Sequence, residues 1–346
     1  MKILVTGNYD PEYNRTQILL KGLRVNTSIE LTEYPIKSVK RLDKVVFKKL
    51  AEQADFIYLP PFTHKSVKKI KRLTDKPLIF DPLISKYLTK VFDYQQVSRY
   101  SPRAYKNYLK DKIPLYKSDL IIADTEAHKN FFSKTFKINP DKIKVLPIGA
   151  DVTQFKPINR STKPIFSVGF YGGFIPLQGV IHIVEAAQIL QTESYIQFNL
   201  IGTGFECEKM KQLVEKLALN NVNFLGWVAY DKLSSKINEF DICLGIFGDT
   251  PKADLVIPNK IYHYAALKKC IITKDTPAIK ELFTNQENIV LTSNNPKAIA
   301  EQILKLKNNT IFTNKIATAG HQLITENYNE HKIAAQFIDI LKGFNN

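Results

Sequence analysis

The chain has 346 residues, of which 44% are hydrophobic and 24% are charged. This composition excludes a disordered, fibrous or collagen-like protein, and the length favours two domains of ~100–200 residues each. The formal net charge of +16 is unevenly spread. Residues 1–150 carry 29 Lys and Arg against 15 Asp and Glu, whereas residues 151–346 carry 20 against 18. The basic first half therefore favours an anionic partner: a membrane surface, a nucleic acid or an acidic substrate.

The three cysteines, Cys207, Cys243 and Cys270, form no metal-binding or disulfide pattern and are expected to be buried free thiols of a reducing compartment. The first ten residues lack the features of a signal peptide. No apolar stretch reaches the ~18–20 residues that a membrane-spanning helix needs. We expect a cytoplasmic protein with peripheral membrane contact.

Short, continuous apolar runs recur along the chain and alternate with segments of helical periodicity. In the first half they lie at 2–6, 55–59, 77–81, 119–123 and 144–147, and in the second at 165–171, 196–201, 222–225, 242–247, 270–273 and 288–291. Such runs are typical of parallel strands buried on both faces. Helical stripes lie at 179–190, 209–219 and 328–341. The pattern predicts two doubly wound α/β domains, joined by a proline-containing linker at 157–164.

Two glycine-rich turns follow predicted strands in the second half. The first contains Gly172, Gly173, Phe174 and Gln178, and the second contains Gly202 and Gly204. Glycine permits close backbone approach, and a following helix offers free amides to a phosphate. The turns therefore predict a nucleotide site, although ligand-free strand-to-helix turns would show the same pattern.

A third loop and helix, at 248–281, collect polar side chains. They are Lys252, Asp254, Pro258, Asn259, Lys260, His263, Thr276 and Glu281. A lysine in the first turn of a helix opposes the helix dipole, and a diphosphate between them would offset that cost. The alternatives are a solvated Lys260, a hydrogen-bonded core His263 and an exposed Glu281 at a helix start.

Five motifs of the second half resemble those of retaining GT-B glycosyltransferases of family 4, the glycosyl transferases group 1. They are VLPIGADVTQF, FYGGFIPLQGVIHIVEAAQIL, FNLIGTGFECEKMKQL, NVNFLGWV and IPNKIYHYAALKKCIITKDTPAIKEL, beginning at residues 145, 170, 198, 221 and 257. The PLQG and IPNK motifs are similar to those of one subgroup. In the first half, FDPLIS and LIIADTEAH resemble its acceptor-side strands.

The resemblance implies a GT-B fold of two Rossmann-like domains that face a cleft. Residues 1–156 would bind the acceptor, residues 157–327 would bind a UDP- or GDP-linked sugar, and a helix within 328–346 would cross back to the first domain. It also implies transfer with retention of configuration and no metal or other cofactor. The absence of an Asp-x-Asp pair agrees with this expectation.

The chain departs from the family pattern at the donor site. Phe174 and Gln178 stand where Arg and Lys usually hold the diphosphate, and the two signature glutamates would fall near Leu255 and at His263. We expect Lys252 and Lys260 to replace the missing cations and to stabilise the departing nucleoside diphosphate. His263 or Glu281 would then hold the ribose.

In the acceptor domain, Asp81 ends a strand, where its carboxylate is placed to accept a proton from a sugar hydroxyl. Arg99 and Arg103 are candidates for binding the phosphate of a lipid-linked acceptor. Asp124, Glu126 and His128 form a further candidate acceptor cluster at the end of the predicted strand 119–123. The alternatives are a turn-capping Asp81 and a helix cap formed by Asp124 or Thr125.

Two basic segments, 38–50 and 64–73, predict contact with an anionic membrane. The segment 38–50 is expected to form one amphipathic helix, with Val39, Leu42, Val46 and Leu50 on its apolar face. The lysines assigned to the membrane are Lys40, Lys44, Lys48, Lys65, Lys68 and Lys69. No nucleic-acid-binding motif accompanies them. The alternative is a merely solvated surface.

The sequence thus predicts a hexosyltransferase of surface polysaccharide or lipopolysaccharide synthesis, located at the inner face of a bacterial membrane. Because both signature glutamates are missing, two alternatives stay open. One is a non-catalytic nucleotide-sugar-binding partner in a biosynthetic complex, and the other is a sugar-nucleotide epimerase of the same fold.

Overall fold

The computed structural model describes residues 1–158 and 164–344, which form two compact units. The first unit comprises Met1–Gly149 and Tyr328–Asn346, and the second comprises Ala150–Asn327. The chain therefore changes unit after Gly149, earlier than the predicted boundary after residue 156. Residues 159–163 of the predicted linker lie outside the described residues.

The first unit contains a six-stranded parallel sheet. Its strands are β1 (Lys2–Gly7), β2 (Glu30–Pro35), β3 (Phe56–Leu59), β4 (Leu78–Phe80), β5 (Leu120–Ala123) and β6 (Ile143–Val145). They are arranged in the order β2-β1-β3-β4-β5-β6. Its helices are α1 (Asn14–Arg24), α2 (Lys44–Gln53), α3 (His64–Ile70), α4 (Pro102–Lys117), α5 (Glu126–Phe136) and α12 (Glu330–Phe344). Every residue of the central strands β3, β4 and β5 is buried, as the continuous apolar runs predict.

The second unit contains a second six-stranded parallel sheet. Its strands are β7 (Phe166–Tyr171), β8 (Ile196–Ile201), β9 (Val222–Gly226), β10 (Ile242–Leu244), β11 (Cys270–Lys274) and β12 (Val290–Thr292), in the order β12-β11-β10-β7-β8-β9. Its helices are α6 (Val180–Ile189), α7 (Cys207–Lys216), α8 (Tyr230–Asn238), α9 (Asn259–Ala266), α10 (Pro296–Asn308) and α11 (Thr310–Asn327). The two parallel sheets with flanking helices confirm the predicted α/β class.

The strand order reverses once in each sheet. The reversal lies between β1 and β3 in the first unit and between β7 and β10 in the second. At such a point the loops on the two sides turn away from each other and leave a crevice at the carboxyl ends of the strands. Each unit therefore has one edge at which its topology favours a ligand site.

Strand β2 has no counterpart among the predicted strands. It lies at the edge of the sheet and pairs only with β1, and its residues are mostly half-buried or exposed. Its sequence ELTEYP therefore lacks the continuous apolar run that reveals a central strand.

The predicted amphipathic helix over 38–50 is wrong in two respects. The segment contains a 3-10 turn at Val39–Arg41 followed by α2, and the Asp43 carboxylate accepts hydrogen bonds from the first amides of α2. Lys40 therefore does not share a helical face with Lys44. The buried side of α2 consists of Phe47 and Ala51, while Val46 is exposed.

The three cysteines are free thiols. Cys243 and Cys270 are buried, and burial raises the pKa of Cys270 to about 12. Cys207 at the start of α7 is only half-buried, contrary to expectation. Within the described ranges, no helix has the length and apolar character required to cross a bilayer.

Helix α12 packs within the first unit, with its predicted apolar stripe of Ile333, Ala334, Phe337, Ile338 and Leu341 buried. Its start lies against Gly22 of α1, where an added Cβ would be 2.1 Å from the Glu330 carbonyl oxygen. The absence of a side chain at Gly22 therefore permits the two helices to approach this closely.

We expect Gly22→Ala to destabilise the first unit by about 1–3 kcal/mol, because the methyl group overpacks this contact. Gly343→Ala is the matched control, since an added Cβ there meets no atom within 4 Å. Thermal unfolding measures the effect. A midpoint of Gly22→Ala at or above that of the wild type would contradict the close contact between α1 and α12.

Candidate nucleotide site

The two predicted glycine turns meet in the second unit. The Gly172 amide donates to the carbonyl of Ile201 at 3.0 Å, and a Cβ added at Gly202 would lie 1.9 Å from the Gly172 carbonyl oxygen. Gly202 also has a φ of +133°, which other residues rarely adopt. This contact of backbone on backbone therefore requires glycine at position 202.

Backbone amides remain available at these turns. Within the described part of the chain, the amides of Gly173, Thr203 and Gly204 donate no hydrogen bond. Unpaired amides at the carboxyl ends of parallel strands are donors that suit phosphate oxygens. The turns can therefore contact an anion through their backbone.

A cavity of about 310 Å³ opens at these turns, beyond the carboxyl ends of β7, β8 and β9. It is lined by Tyr171, Gly172, Gly173, Ile201, Gly202, Thr203, Trp227, Val228, Tyr230 and Leu233. The Trp227 side chain is 73% exposed, so its ring is free to stack on a planar ligand. Burial, followed by Asp151, raises the pKa of Tyr230, so this phenol is a neutral hydrogen-bonding group.

Lys260 lies directly behind the first turn. Its Nζ would be 2.8 Å from a Cβ added at Gly172, and it donates to Oε1 of Gln178 at 2.6 Å. The same Nζ is 3.6 Å from the centre of the Phe170 ring, a cation–π contact. The structure therefore brings together three of the predicted residues: Gly172, Gln178 and Lys260.

The Lys260 ammonium is buried without a carboxylate partner among the described residues. Burial lowers its pKa well below the usual range of lysine. A buried cation that has no ion pair costs stability, and an anionic ligand can offset that cost. Lys260 is thus suited to hold a ligand phosphate next to Gly172.

Phe174 does not present its side chain to this site. The ring is fully buried in the hydrophobic core, at 6.0 Å from the ring of Phe224. Its amide donates to Thr203 and its carbonyl accepts from Glu206. The Phe174 side chain therefore belongs to the core, and its contact with a nucleotide sugar stays a prediction.

His263 is a core histidine, as the alternative interpretation had it. Its ring stacks on Phe155 at 3.8 Å, and its Nδ1 lies 2.6 Å from the Tyr171 hydroxyl. Burial lowers the pKa of His263 to about 3, an effect that Asp151 opposes, so the ring is neutral. His263 is 1% exposed, and its contact with a ribose stays a prediction.

The remaining predicted donor residues lie in the loops after β10 and β11. Lys252 is buried, whereas the Asp254 carboxylate is half-exposed and lies 3.7 Å from the Lys274 ammonium.

The other predicted donor residues lie at the start of α9 and after β11. Pro258 and Asn259 at the start of α9 are half-exposed. Thr276 is buried and accepts a hydrogen bond from the amide of Ile279. Glu281 is exposed at the end of the Ile279–Glu281 turn.

Asp81 in the first unit is the anion of a buried ion pair. Its Oδ2 accepts from Arg15 Nε at 2.5 Å and from the Tyr58 hydroxyl at 3.2 Å, and the residue is 1% exposed. Burial raises the pKa of Asp81, an effect that Arg15 opposes. Arg15 also donates to the carbonyls of Leu146 and Pro147. This geometry favours a structural role for Asp81 over that of a solvent-accessible base.

The other predicted acceptor residues do not form one site. Asp124 and His128 are both buried and face each other, with Oδ1 and Nδ1 2.6 Å apart. The cap of α5 is Thr125, whose hydroxyl accepts from the His128 amide. Arg99 and Arg103 are exposed, and the Arg99 guanidinium lies 5.8 Å from the ring centres of Phe92 and Tyr100.

The predicted membrane lysines fall into three groups. Lys44, Lys48 and Lys68 are exposed on α2 and α3. Lys69 is half-buried and donates to the carbonyl of Val39. Lys40 and Lys65 line a cavity in the first unit. All of the predicted membrane lysines except Lys69 are therefore exposed, and two of them also line this cavity.

Sequence reasoning missed Trp227 and Tyr230 in the second unit. The available signal was their position directly after the strand that ends at Gly226, next to the two glycine turns. In the residues that the structure describes, no group of three or more His, Cys, Asp or Glu side chains is placed to hold a metal ion. Metal-independent chemistry stays a prediction.

Comparison with known proteins supports the fold. Residues 165–309 match the model of the family described as Glycosyl transferases group 1. Among curated proteins, an uncharacterized glycosyltransferase of Methanocaldococcus jannaschii is 22% identical over 240 residues. That match covers 67% of this chain and 60% of the relative.

Among solved structures, Anabaena HepE in complex with UDP and glucose is similar over 99% of both chains, with a TM-score of 0.74 and 18% identity. Sucrose-phosphate synthase from Thermosynechococcus elongatus has a TM-score of 0.75 and 12% identity, covering 99% of this chain and 98% of that one. These likenesses confirm the GT-B type of fold, with two Rossmann-like domains.

We expect Lys260→Met to stabilise the second unit at neutral pH, by about 1 kcal/mol or about 2–4 °C, because it removes a buried cation. A lysine whose folded-state pKa is lowered binds fewer protons when folded. The cost of burying it therefore shrinks as the pH rises towards its ordinary pKa. Thermal unfolding between neutral and alkaline pH should show a gain that fades as the pH rises.

The matched control for this measurement is Lys209→Met, which removes an exposed lysine from the same unit. Its midpoint should stay close to that of the wild type at every pH. A loss of stability in Lys260→Met alone would mean that the ammonium contributes more through Gln178 and Phe170 than its burial costs.

Proposed function

We propose that this protein is a glycosyltransferase that transfers a hexose from a nucleoside-diphosphate sugar, UDP-linked in preference to GDP-linked. The observation that carries the proposal is the cavity of about 310 Å³ at the glycine turns, with the buried Lys260 ammonium directly behind Gly172. The match of residues 165–309 to Glycosyl transferases group 1 and the likeness to HepE with UDP bound support it.

Each part of a nucleoside diphosphate has a chemical counterpart at the site. The exposed Trp227 ring offers a face on which the base can stack, and the Tyr230 hydroxyl is a neutral partner for a polar group of the nucleoside. The amides of Gly173, Thr203 and Gly204 are donors to the phosphate oxygens.

Lys260 supplies the charge that the chemistry needs. As the bond between the sugar and the β-phosphate breaks, negative charge develops on the leaving diphosphate, and a fixed cation stabilises it. Gln178 stands where the family resemblance places a lysine, and it accepts a hydrogen bond from Lys260 Nζ. We therefore propose that the cation reaches the same place from α9 and that Lys260, not His263, is the functional residue of this helix.

The proposal includes finer features that rest on the sequence resemblance. Transfer retains the anomeric configuration and requires no metal or other cofactor. The acceptor is a glycan or a lipid-linked glycan of surface polysaccharide or lipopolysaccharide synthesis. The protein works in the cytoplasm at the inner face of the membrane, which it contacts through exposed lysines of the first unit. The curated relatives are longer, since the chain spans 60% and 62% of their lengths.

We expect UDP to raise the thermal unfolding midpoint of the wild type and Trp227→Ala to weaken UDP binding by ~1–3 kcal/mol, the usual contribution of an aromatic ring stacked on a base. Lys260→Met should weaken it by at least a comparable amount, because a charge-assisted hydrogen bond is lost. Titration calorimetry gives the affinities. Tyr195→Ala is the matched control, since it removes an exposed aromatic ring of the same unit outside the cavity.

Product analysis with UDP-glucose and GDP-mannose completes this test. Release of the nucleoside diphosphate, accelerated by a glycan acceptor and slowed in Lys260→Met, supports the transferase. A changed sugar still attached to the nucleotide, without acceptor, would indicate the epimerase instead. Binding without turnover across a panel of acceptors would indicate the non-catalytic partner.

Membrane contact is tested by flotation with vesicles that contain anionic lipid. The triple variant Lys44→Glu, Lys48→Glu and Lys68→Glu should lose binding, because three exposed cations that can face an anionic leaflet are reversed. The control reverses three exposed lysines of the second unit, Lys209, Lys216 and Lys232. Equal flotation of both triple variants would remove this part of the proposal.

A further inference from the structure

A second cavity, of about 490 Å³, lies in the first unit. We call it the lysine pocket. It is lined by Asn8, Ser38, Val39, Lys40, Phe62, Thr63, Lys65, Ser66 and Lys86. These residues follow the carboxyl ends of four strands, β1 to β4. The reversal of strand order between β1 and β3 lies among them, which is where doubly wound sheets bind their ligands.

The charge of the lysine pocket is entirely positive. Three of its lining residues are lysines and none is Asp or Glu. Lys40, Lys65 and Lys86 form no ion pair with any carboxylate of the described residues. Burial lowers the pKa of Lys86, and Lys65 adds to this shift while Asp111 opposes it. Lys65 and Lys86 therefore repel each other, and no acidic residue is among the described residues that line the cavity.

Hydroxyl groups add neutral donors to this charge. The Ser66 hydroxyl accepts from the Asn8 amide at 3.4 Å, and the Ser38 hydroxyl accepts from the Lys40 amide at 3.3 Å. Each serine uses its oxygen as an acceptor in these contacts, so its proton stays available for a ligand oxygen. Phe62, which is 37% exposed, supplies an apolar wall.

This set of groups fits a phosphate better than a carboxylate. A phosphomonoester carries a charge of about −1.5 to −2 and three acceptor oxygens, whereas a carboxylate carries a single charge and two oxygens. Lysine is a compact point charge that suits phosphate, and three of them with two hydroxyls match the several oxygens of the group.

We propose that the lysine pocket binds a phosphate group carried by the acceptor of the transfer reaction, so that the acceptor substrates are phosphorylated molecules. The inference rests on the proposed function, since only a transferase has an acceptor. It assigns the acceptor phosphate to Lys40, Lys65 and Lys86, in place of the exposed Arg99 and Arg103 that the sequence suggested.

Inorganic pyrophosphate is the first probe, titrated by calorimetry into the full chain in the presence of saturating UDP, which occupies the site in the second unit. The double variant Lys65→Gln and Lys86→Gln should bind pyrophosphate about tenfold more weakly or worse, because two charge-assisted contacts are lost. The matched control, Lys106→Gln and Lys117→Gln, removes two exposed lysines of α4 outside the pocket and should bind as the wild type does.

The two proposals fail in different ways. Equal pyrophosphate affinity in both double variants, or none in the wild type, overturns the lysine pocket as a phosphate site, whatever the affinity for UDP. Loss of pyrophosphate binding in the pocket variant alone supports the site. If the wild type then binds no UDP, the proposed function is contradicted while the phosphate site stands.

A polyprenyl phosphate in detergent micelles and a soluble hexose 1-phosphate then represent the two sources of an acceptor phosphate. The source whose binding is weakened in the pocket variant and unchanged in the control is the acceptor class. If neither is bound through Lys65 and Lys86, the assignment of the pocket to an acceptor is overturned.

Discussion

Parallel strands bring every loop that follows them to one edge of the sheet, and this constraint organises both candidate sites. In the second unit it brings the turn after β7 against the turn after β8, so closely that the Gly172 carbonyl occupies the space of a Cβ at Gly202. In the first unit it collects side chains from the loops after β1, β2, β3 and β4 around one cavity. Both sites lie at the carboxyl ends of strands next to the point where the strand order reverses.

The candidate nucleotide site has a buried lysine directly behind its first glycine turn. The Lys260 ammonium is buried against Phe170 and hydrogen-bonded to Gln178, and no carboxylate of the described residues forms an ion pair with it. Residues that a protein keeps at a cost to stability are often those on which binding or catalysis depends. His263, one turn further along α9, is also buried, but its ring stacks on Phe155 and its Nδ1 lies 2.6 Å from the Tyr171 hydroxyl. Because the ring is neutral, it brings no buried charge that a ligand would have to offset.

The first unit shows the same contrast among its charged residues. Asp81 and Arg15 form an ion pair in the interior, and Asp124 faces His128, so each of these charged groups has a partner within the unit. Lys40, Lys65 and Lys86 form no ion pair among the described residues, although Asp111 attracts Lys86 electrostatically, and they surround open space. An unpaired charge beside a cavity points to a ligand more strongly than a charge in a motif does.

The amino-acid sequence by itself determined the α/β class, eleven of the strands through their apolar runs, the two glycine turns and the buried stripe of α12, because these depend on local periodicity and on the special backbone of glycine. It did not reveal the edge strand β2, which pairs with a single neighbouring strand and therefore lacks a continuous run of buried apolar residues. Nor did it separate functional from structural charges. Whether Asp81 meets Arg15, whether His263 stacks on Phe155 and whether Lys65 stands near Lys86 depend on residues far apart in the chain. Only tertiary packing decides which of these groups are paired and which are left to a ligand.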